Sequence, residues 1–379
     1  MKVALTTVAL AFLVTPTAST ARRARLEPPD SQPLLAATLA ELGAEFVRDS
    51  TFDVLWLSET QPFDESTLRP QQLVTRIPGL STITRKHHLA SVARTLGWNN
   101  TPATLASAAD FVAHNPTDSP PFSWLTKSVS HRGVSPIHTV RGDQLPELRL
   151  AGDEDNDLVG DQAQVLQARV VDPLLIDGTE FDMGVYVVAV QQAEGGAIQF
   201  EIFDDVLLRF CRAFSLTPTE AAELYEGLHK SDPRGAAAAL LDAWVVDDRY
   251  QSAWQMAALQ PSLARPNGTA ATALAAVLRS RGLNWRHIWH GVEAAVASAL
   301  AVPSIGSGGA GGVGGAQHYD LLRFDFKLDV RGKPWLLEVN SNPNLVPKSD
   351  EQAAVLRRLC RFLWEKLTAS PPSNASARF

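Results

Sequence analysis

Alternating apolar and polar residues near the C-terminus predict a β-hairpin with one buried face. The apolar positions recur at every second residue, which is the period of half-buried strands. They are Phe324, Phe326, Leu328, Trp335, Leu337 and Val339. A tight turn at Arg331-Gly332, with the glycine at positive φ, would join the two strands.

The predicted register brings oxygen-bearing side chains together on the polar face. If Val330 faces Lys333 across the turn, counting outward places Asp325 opposite Glu338. Asn340 lies two residues further, on the face of Glu338. Hard cations such as Mg²⁺ are held by one or two carboxylates together with substrate phosphates. Spacing alone leaves open an ordinary hairpin whose outer face is charged and solvated.

Apolar patterns elsewhere predict an alternation of strands and helices. Residues 164–166 and 185–190 have the β-branched composition of buried strands. Helical periodicity covers residues 270–281, 285–301 and 351–367. The glycine-rich segment 306–316 is predicted to be a flexible loop and not a phosphate-binding loop, because it has no lysine-serine or lysine-threonine pair. The Pro- and Ser-rich tail 369–379 is predicted to be disordered.

The first 21 residues are predicted to be a signal peptide or a short membrane anchor. An apolar run follows Lys2 and ends in small residues, and the run is short for a membrane span. We favour a protein of the secretory pathway, whether secreted, lumenal or anchored. Arg22, Arg23 and Arg25 follow the run, and in an uncleaved anchor they would favour a cytoplasmic-facing body. Residues 22–48 are predicted to be a linker with a helix.

Composition favours a folded, enzyme-sized chain. The 379 residues are 45% hydrophobic and 20% charged, with a formal net charge of −7, so length allows two or three domains. An acidic balance argues against a nucleic-acid-binding protein, which needs a basic surface. Cys211 and Cys360 define no disulfide framework and are predicted to be buried.

Several blocks of the chain, in order, resemble one known family. Residues 321–345 contain Pro-Trp-Leu-Leu-Glu-Val-Asn-Ser after an aspartate in a Phe-rich strand. Further blocks are Asp53-Val54-Leu55-Trp56, Ile83-Thr84-Arg85-Lys86, Phe122-Ser123-Trp124-Leu125-Thr126-Lys127, Phe181-Asp182 and Val206-Leu207-Leu208-Arg209-Phe210. Together they are similar to the tubulin-tyrosine-ligase-like (TTL) family of the ATP-grasp superfamily, in a divergent subgroup with an N-terminal hydrophobic segment.

The resemblance implies an α/β, ATP-grasp-like fold with three domains. These are a small N-terminal domain at 49–115, a central domain at 116–190 and a C-terminal ATP-grasp domain at 191–368. It also implies an ATP- and Mg²⁺-dependent ligase that activates a protein carboxylate as an acyl phosphate and then joins an amino acid to it, with glutamate favoured. The partner would be a protein acceptor, with tubulin possible if the body is cytoplasmic.

The resemblance also implies roles for individual residues. Lys127 and Arg209 would contact the phosphates, and Gln167 would contact the nucleotide. Asp325, Glu338 and Asn340 would hold magnesium. A loop over the phosphates would contain His131, Arg132 and Gly133.

Two positions depart from the family pattern. Gly184 stands where the family has an arginine that reaches the ATP phosphates, and Ala168 stands where it has a nucleotide-facing lysine. Arg169 could compensate for Ala168 from the neighbouring position, but strand alternation argues against this, because adjacent strand residues face opposite sides. The alternative is therefore a catalytically idle nucleotide-binding protein that recognises a partner.

Overall fold

The computed structural model describes residues 22–58, 63–107, 110, 113–114, 122–129, 138–140, 164–191, 197–302 and 317–369. The strands are β1 (Arg23–Glu27), β2 (Glu45–Phe46), β3 (Val54–Leu57), β4 (Leu73–Thr75), β5 (Thr104–Leu105), β6 (Trp124–Ser128), β7 (His138–Val140), β8 (Gln164–Ala168), β9 (Phe181–Gln191), β10 (Ile198–Phe210), β11 (Gln251–Ser252), β12 (Gln317–Leu328) and β13 (Pro334–Ser341). The helices are α1 (Pro33–Glu41), α2 (Ser81–Thr84), α3 (Lys86–Thr95), α4 (Pro218–His229), α5 (Pro233–Trp244), α6 (Gln260–Leu263), α7 (Ala270–Ser280), α8 (Trp285–Leu300) and α9 (Asp350–Thr368). The fold is α/β, as predicted.

A large mixed sheet forms the centre of the molecule, in the order β11-β10-β9-β12-β4-β3-β1-β2. Strand β12 pairs antiparallel with β9 along one edge. On its other edge it pairs parallel with β4 near its start and antiparallel with β13 near its end. The C-terminal hairpin is therefore inserted between strands that come much earlier in the sequence.

Helices cover both faces of this sheet, and β9 supplies apolar side chains to both faces. Odd-numbered residues from Phe181 to Ala189 pack with α7 and α8, whereas Tyr186 and Val188 pack on the opposite face with α9. Both faces of a central strand are buried, so it reads as a continuous apolar run. Among its polar residues, Asp182 lies near the start of β9 and Gln191 at its end.

The predicted helices and buried strands are confirmed, with physical start signals for the helices. Helix α7 begins at a capping box between Thr269 and Thr272. Asn284 caps α8 by accepting from two backbone N–H groups, and Ser349 caps α9 by accepting from the Gln352 N–H. Such caps satisfy donors that have no partner within the helix.

A smaller antiparallel sheet, in the order β5-β8-β6-β7, faces the large one. Strand β6 pairs with β8 over its whole length, with Lys127 opposite Val165 and Leu125 opposite Gln167. The division into three domains stays a prediction. In the structure, strands from each of the three predicted ranges pair within the large sheet. Residues 22–48, expected to be a linker with a helix, contribute β1 and β2 to the large sheet as well as α1.

The hairpin confirms that Asp325 and Glu338 are opposite each other, but the predicted turn is wrong. The Asp329 N–H donates to the Lys333 carbonyl at 3.1 Å. The loop is therefore residues 330–332, and Val330 does not face Lys333. Gly332 has φ +79°, as expected of the last residue of a three-residue loop.

A β-bulge at Leu337 compensates for the longer turn. Phe326 pairs with Leu336, whereas the next residue of β12, Asp325, pairs with Glu338. One extra residue on one strand shifts the register by one. The predicted buried face of β13 is therefore wrong before the bulge. Leu336 is buried there, whereas Trp335 and Leu337, which were expected to be buried, are only partly buried.

Replacing Gly332 with alanine is expected to destabilise the protein by about 1–3 kcal/mol. Its φ is unfavourable for a side chain, and a Cβ would lie 2.9 Å from Cδ1 of the buried Ile288. The free energy of unfolding from urea titration measures the effect. The control Gly227→Ala lies within α4, where a Cβ meets nothing within 4 Å, and is expected to stabilise by up to about 1 kcal/mol. Equal effects of the two substitutions would contradict the prediction.

Several predicted segments fall outside the described residues, among them the N-terminal segment 1–21, the glycine-rich loop 306–316 and, apart from Ala369, the tail. In the part of the chain that the structure describes, no helix is both long enough and apolar enough to span a membrane.

Candidate active site

A cleft of about 450 Å³ lies between the two sheets. Strands β6 and β8 form one wall, the start of β9 and the ends of β10 and β12 form the floor with β13, and α5 closes one side. Six of the residues predicted for the site line this single cleft. They are Lys127, Gln167, Arg209, Asp325, Glu338 and Asn340.

Asp325 is the most buried of these carboxylates, with a side chain that is 1% exposed. Arg323 binds it through both oxygens, with Nε–Oδ1 at 2.7 Å and Nη2–Oδ2 at 2.9 Å. Nη2 of Arg209 lies 2.9 Å from Oδ2 of the same carboxylate. Nδ2 of Asn340 donates to that oxygen at 3.0 Å. Burial of this carboxylate is thus compensated by two cations and an amide.

Glu338 faces the cleft beside Asp325. Its Oε2 lies 3.2 Å from Nζ of Lys86, at the start of α3, and Nδ2 of Asn340 donates to Oε1 at 3.3 Å. Burial opposes its ionisation, but Lys86 and Lys127, followed by Arg323 and Arg209, outweigh burial and hold the pKa of Glu338 well below 4.5. Glu338 is therefore an anion at neutral pH.

Lys127 and Gln167 extend from the small sheet into the cleft. Burial lowers the pKa of Lys127, against the opposing charges of Glu338 and Asp182. The Gln167 side chain donates to Oγ1 of Thr104 at 3.2 Å and to the carbonyl of Leu337, the bulge residue, at 3.4 Å. The bulge thus ties the hairpin to the opposite wall of the cleft.

A second group of charges lines the cleft near Trp244. Nζ of Lys327 lies 2.6 Å from Oε2 of Glu180 and 3.9 Å from Oδ1 of Asp182. Arg169 binds Glu180 at 3.1 Å, and its guanidinium lies 3.6 Å from the centre of the Trp244 ring. Burial raises the pKa of Asp182, although Lys327 and Arg209 oppose that rise.

The donor set fits a magnesium ion with a polyphosphate. Asp325 and Glu338 supply carboxylate oxygens and Asn340 an amide oxygen, the ligand types that Mg²⁺ prefers. The described residues lining the cleft include eight basic and seven acidic side chains, so the charges there nearly balance, whereas the whole chain is acidic. Oδ1 of Asp182 and Nε of Arg209 are buried there without a hydrogen-bond partner in the described structure. Buried polar atoms normally have partners, so these two atoms fit a site completed by a ligand.

Ala168 and Gly184, the two departures from the family pattern, lie in the cleft region. Strand alternation was expected to turn Arg169 away from the cleft, and that expectation is wrong. Ala168 and Arg169 both line the cleft, because β8 ends at Ala168 and strand alternation no longer applies to the next residue. Arg169 is nevertheless paired with Glu180. Gly184 is the Cα partner of Asp325, which places it beside the predicted magnesium ligands.

Sequence reasoning missed Lys86, Arg323 and Lys327 as site residues. Arg323 and Lys327 each lie two residues from Asp325, on the same face of β12, so strand periodicity was a usable signal for both. Lys86 belongs to a block that resembles the family, but its ion pair with Glu338 joins residues far apart in sequence. His131, Arg132 and Gly133 lie outside the described residues, and their predicted role in a loop over the phosphates stays a prediction.

His87 follows Lys86 on α3 and is expected to make stability depend on pH. Burial, followed by the charges of His88 and Arg85, lowers the pKa of His87 from 6.5 to about 4. As the pH falls from about 6.5 towards 4, the unfolded chain takes up a proton that the folded chain does not, so stability is lost. His87→Gln is expected to lose less stability than the wild type between about pH 7 and about pH 5.

Thermal unfolding midpoints at the two pH values measure this difference. The control Gly227→Ala changes an exposed residue of α4 that does not titrate and should keep the pH dependence of the wild type. A His87→Gln midpoint that falls as steeply as the wild-type midpoint would refute the assignment.

Comparison with known families bears directly on this site. The model of the family described as "Tubulin-tyrosine ligase family" matches residues 65–225 and 237–377. These ranges include every residue predicted to bind magnesium or phosphate. The chain belongs to the tubulin-tyrosine ligase family. The resemblance to this family is thereby confirmed, and the α/β architecture is consistent with its ATP-grasp-like fold. Membership of a divergent subgroup with an N-terminal hydrophobic segment stays a prediction.

One protein that is similar to this chain gives a second comparison. The protein described as "Probable tubulin polyglutamylase ttll-15" from Caenorhabditis elegans is 24% identical over 324 residues. The match covers 82% of this chain and 55% of the relative, so the chain spans about half the length of the relative.

Proposed function

We propose that this chain is an ATP- and Mg²⁺-dependent ligase of the tubulin-tyrosine-ligase type that adds glutamate to a carboxylate of a protein acceptor. The observation that carries the proposal is the convergence of Asp325, Glu338 and Asn340 with Lys127 and Arg209 in one cleft. Family membership supports a ligase. The name of the Caenorhabditis elegans relative supports glutamate and tubulin as the first substrates to test.

The side chains in the cleft suit phosphoryl transfer. ATP would supply the phosphoryl group that activates the acceptor carboxylate. Catalysis of this step rests on positioning and on charges placed around the phosphoryl group. Asp325, Glu338 and Asn340 would hold magnesium, while Lys127 and Arg209 would face the phosphates.

The second candidate is an idle nucleotide-binding protein. Two observations favour it: Gly184 carries no charge, and both oxygens of Asp325 are already bound by arginines. In that case nucleotide and magnesium bind, but no amino acid is transferred.

Incubation with isotope-labelled glutamate separates the two candidates. Purified protein, Mg²⁺, ATP and either tubulin or acidic peptides are combined, and mass spectrometry measures the mass added to the acceptor. Transfer that requires both ATP and Mg²⁺ is expected. Nucleotide binding without transfer to any acceptor would reject the ligase and favour the idle protein.

The compartment is proposed separately, from residues 1–21. We favour the secretory pathway, and the alternative is a body that faces the cytoplasm and meets tubulin. Asn267 begins an Asn-Gly-Thr sequon and is exposed, so glycosylation mapping at this residue in cells tests the choice. A glycan at Asn267 is expected; a bare Asn267 would favour the cytoplasmic-facing body.

A further inference from the structure

Gly184 and Arg323 occupy the same small space beside Asp325. Gly184 on β9 is the Cα partner of Asp325 on β12, and Arg323 lies two residues before Asp325 on the same face. A Cβ placed on Gly184 would lie 3.1 Å from Cδ of Arg323 and 3.3 Å from Oδ1 of Asp325. The aliphatic part of Arg323 therefore fills the space that a side chain at position 184 would enter.

The Arg323 side chain is held in place rather than lying loosely across the glycine. It is 15% exposed, and it binds Asp325 through Nε and Nη2. In the described part of the chain its third nitrogen, Nη1, makes no hydrogen bond. Arg323 also lines the cleft with Arg209 and Lys127, so a permanent positive charge lies where phosphates would bind.

We infer that Arg323 is a phosphate-facing cation of the nucleotide site, and that Gly184 is the residue that makes room for it. The inference rests on the proposed function for its ligand, a nucleoside triphosphate with magnesium. It assigns the charge missing from position 184 to the neighbouring strand. Gly184 is then a requirement of this site and not a lost part of it.

A side chain at position 184 and the Arg323 side chain exclude each other for both steric and electrostatic reasons. With Arg323 present, a side chain at position 184 would displace a partly buried arginine from Asp325. An arginine at position 184 would also be a third guanidinium beside one carboxylate, together with Arg209 and Arg323, and the like charges would repel. Without Arg323, the same arginine would have both space and a counter-ion.

A four-protein cycle tests this reciprocity. The proteins are the wild type, Arg323→Gly, Gly184→Arg and the double variant Arg323→Gly/Gly184→Arg. Equilibrium titration with a fluorescent, non-hydrolysable ATP analogue and Mg²⁺ measures binding, and thermal unfolding without nucleotide measures folding. Each single variant is expected to bind at least about tenfold more weakly, since hydrogen bonds to charged groups are lost. The double variant is expected to recover to within about threefold of the wild type.

The cycle also carries a matched control and clear contrary outcomes. Gly227→Arg adds the same side chain to a helical glycine where a Cβ meets nothing within 4 Å, and it should leave binding unchanged. Wild-type affinity in Arg323→Gly, tighter binding in Gly184→Arg alone, or a folded double variant no better than either single variant would each overturn the inference. Failure of the ligase proposal looks different: the wild type binds the analogue but transfers no amino acid.

Discussion

Glu338→Gln is expected to reduce amino-acid transfer by at least about a hundredfold. The substitution keeps the shape of the side chain and removes a negative charge that Lys86 and Lys127 face. It also removes one of the two carboxylates in the predicted magnesium site. Transfer of labelled glutamate under saturating ATP and Mg²⁺, followed by mass spectrometry, measures the loss.

The matched control for this variant is Glu293→Gln. Glu293 lies on α8 and pairs with His290 on the exposed face, away from the cleft, so its transfer rate should equal that of the wild type. Circular dichroism confirms that both proteins are folded. If Glu338→Gln transfers glutamate at the wild-type rate, Glu338 holds no essential magnesium ion.

Asp325→Asn is expected to have the largest effect on stability, about 3–5 kcal/mol. Asparagine has nearly the same shape but no charge, so Arg209 and Arg323 would remain partly buried without the counter-ion they share, and Arg209 would keep only Asp182, at 3.8 Å. Removing one partner of a buried ion pair costs more than forming the pair gains, because the remaining charge stays desolvated. Denaturant unfolding of the nucleotide-free protein measures the change in free energy.

Glu41→Gln provides the control, because it breaks an ion pair of the same length in a different environment. Nη2 of Arg361 lies 2.9 Å from Oε2 of Glu41, and the two side chains are 45% and 53% exposed. An exposed pair contributes about 0–1 kcal/mol. If Asp325→Asn costs no more than Glu41→Gln, the arginines do not depend on Asp325 for their burial.

The hairpin illustrates what the sequence could predict and what it could not. Period-two alternation and the positive φ expected of Gly332 predicted two strands, and the assumed turn placed Asp325 opposite Glu338. The actual loop has one more residue than predicted, and the bulge at Leu337 offsets it, so the correct pairing came from two compensating differences. A bulge has no local signature here, because Leu337 is the same residue type as Leu336 before it. Its position depends on packing and on the hydrogen bond from Gln167.

The candidate site likewise has features that the sequence could predict and features that it could not. Six residues taken from the resemblance line one cleft, since family order reflects a shared fold. Lys86 reaches Glu338 through an ion pair between residues that are far apart in sequence, and propensity and spacing contain no information on such a contact. The relation of Gly184 to Arg323 depends on which strands are neighbours in the sheet. From the sequence alone, position 184 could be described only as one where the arginine of the family is replaced by glycine.

The place of β12 in the sheet has a consequence for biosynthesis. Strands β4 and β9 leave the ribosome early, yet both pair with β12, which is made near the end of the chain. Until residue 328 has emerged, these strands have unpaired edges, and such edges promote association between chains. We therefore expect nascent chains, and any truncated product ending before β12, to depend on chaperones and to be degraded rather than to persist as folded fragments.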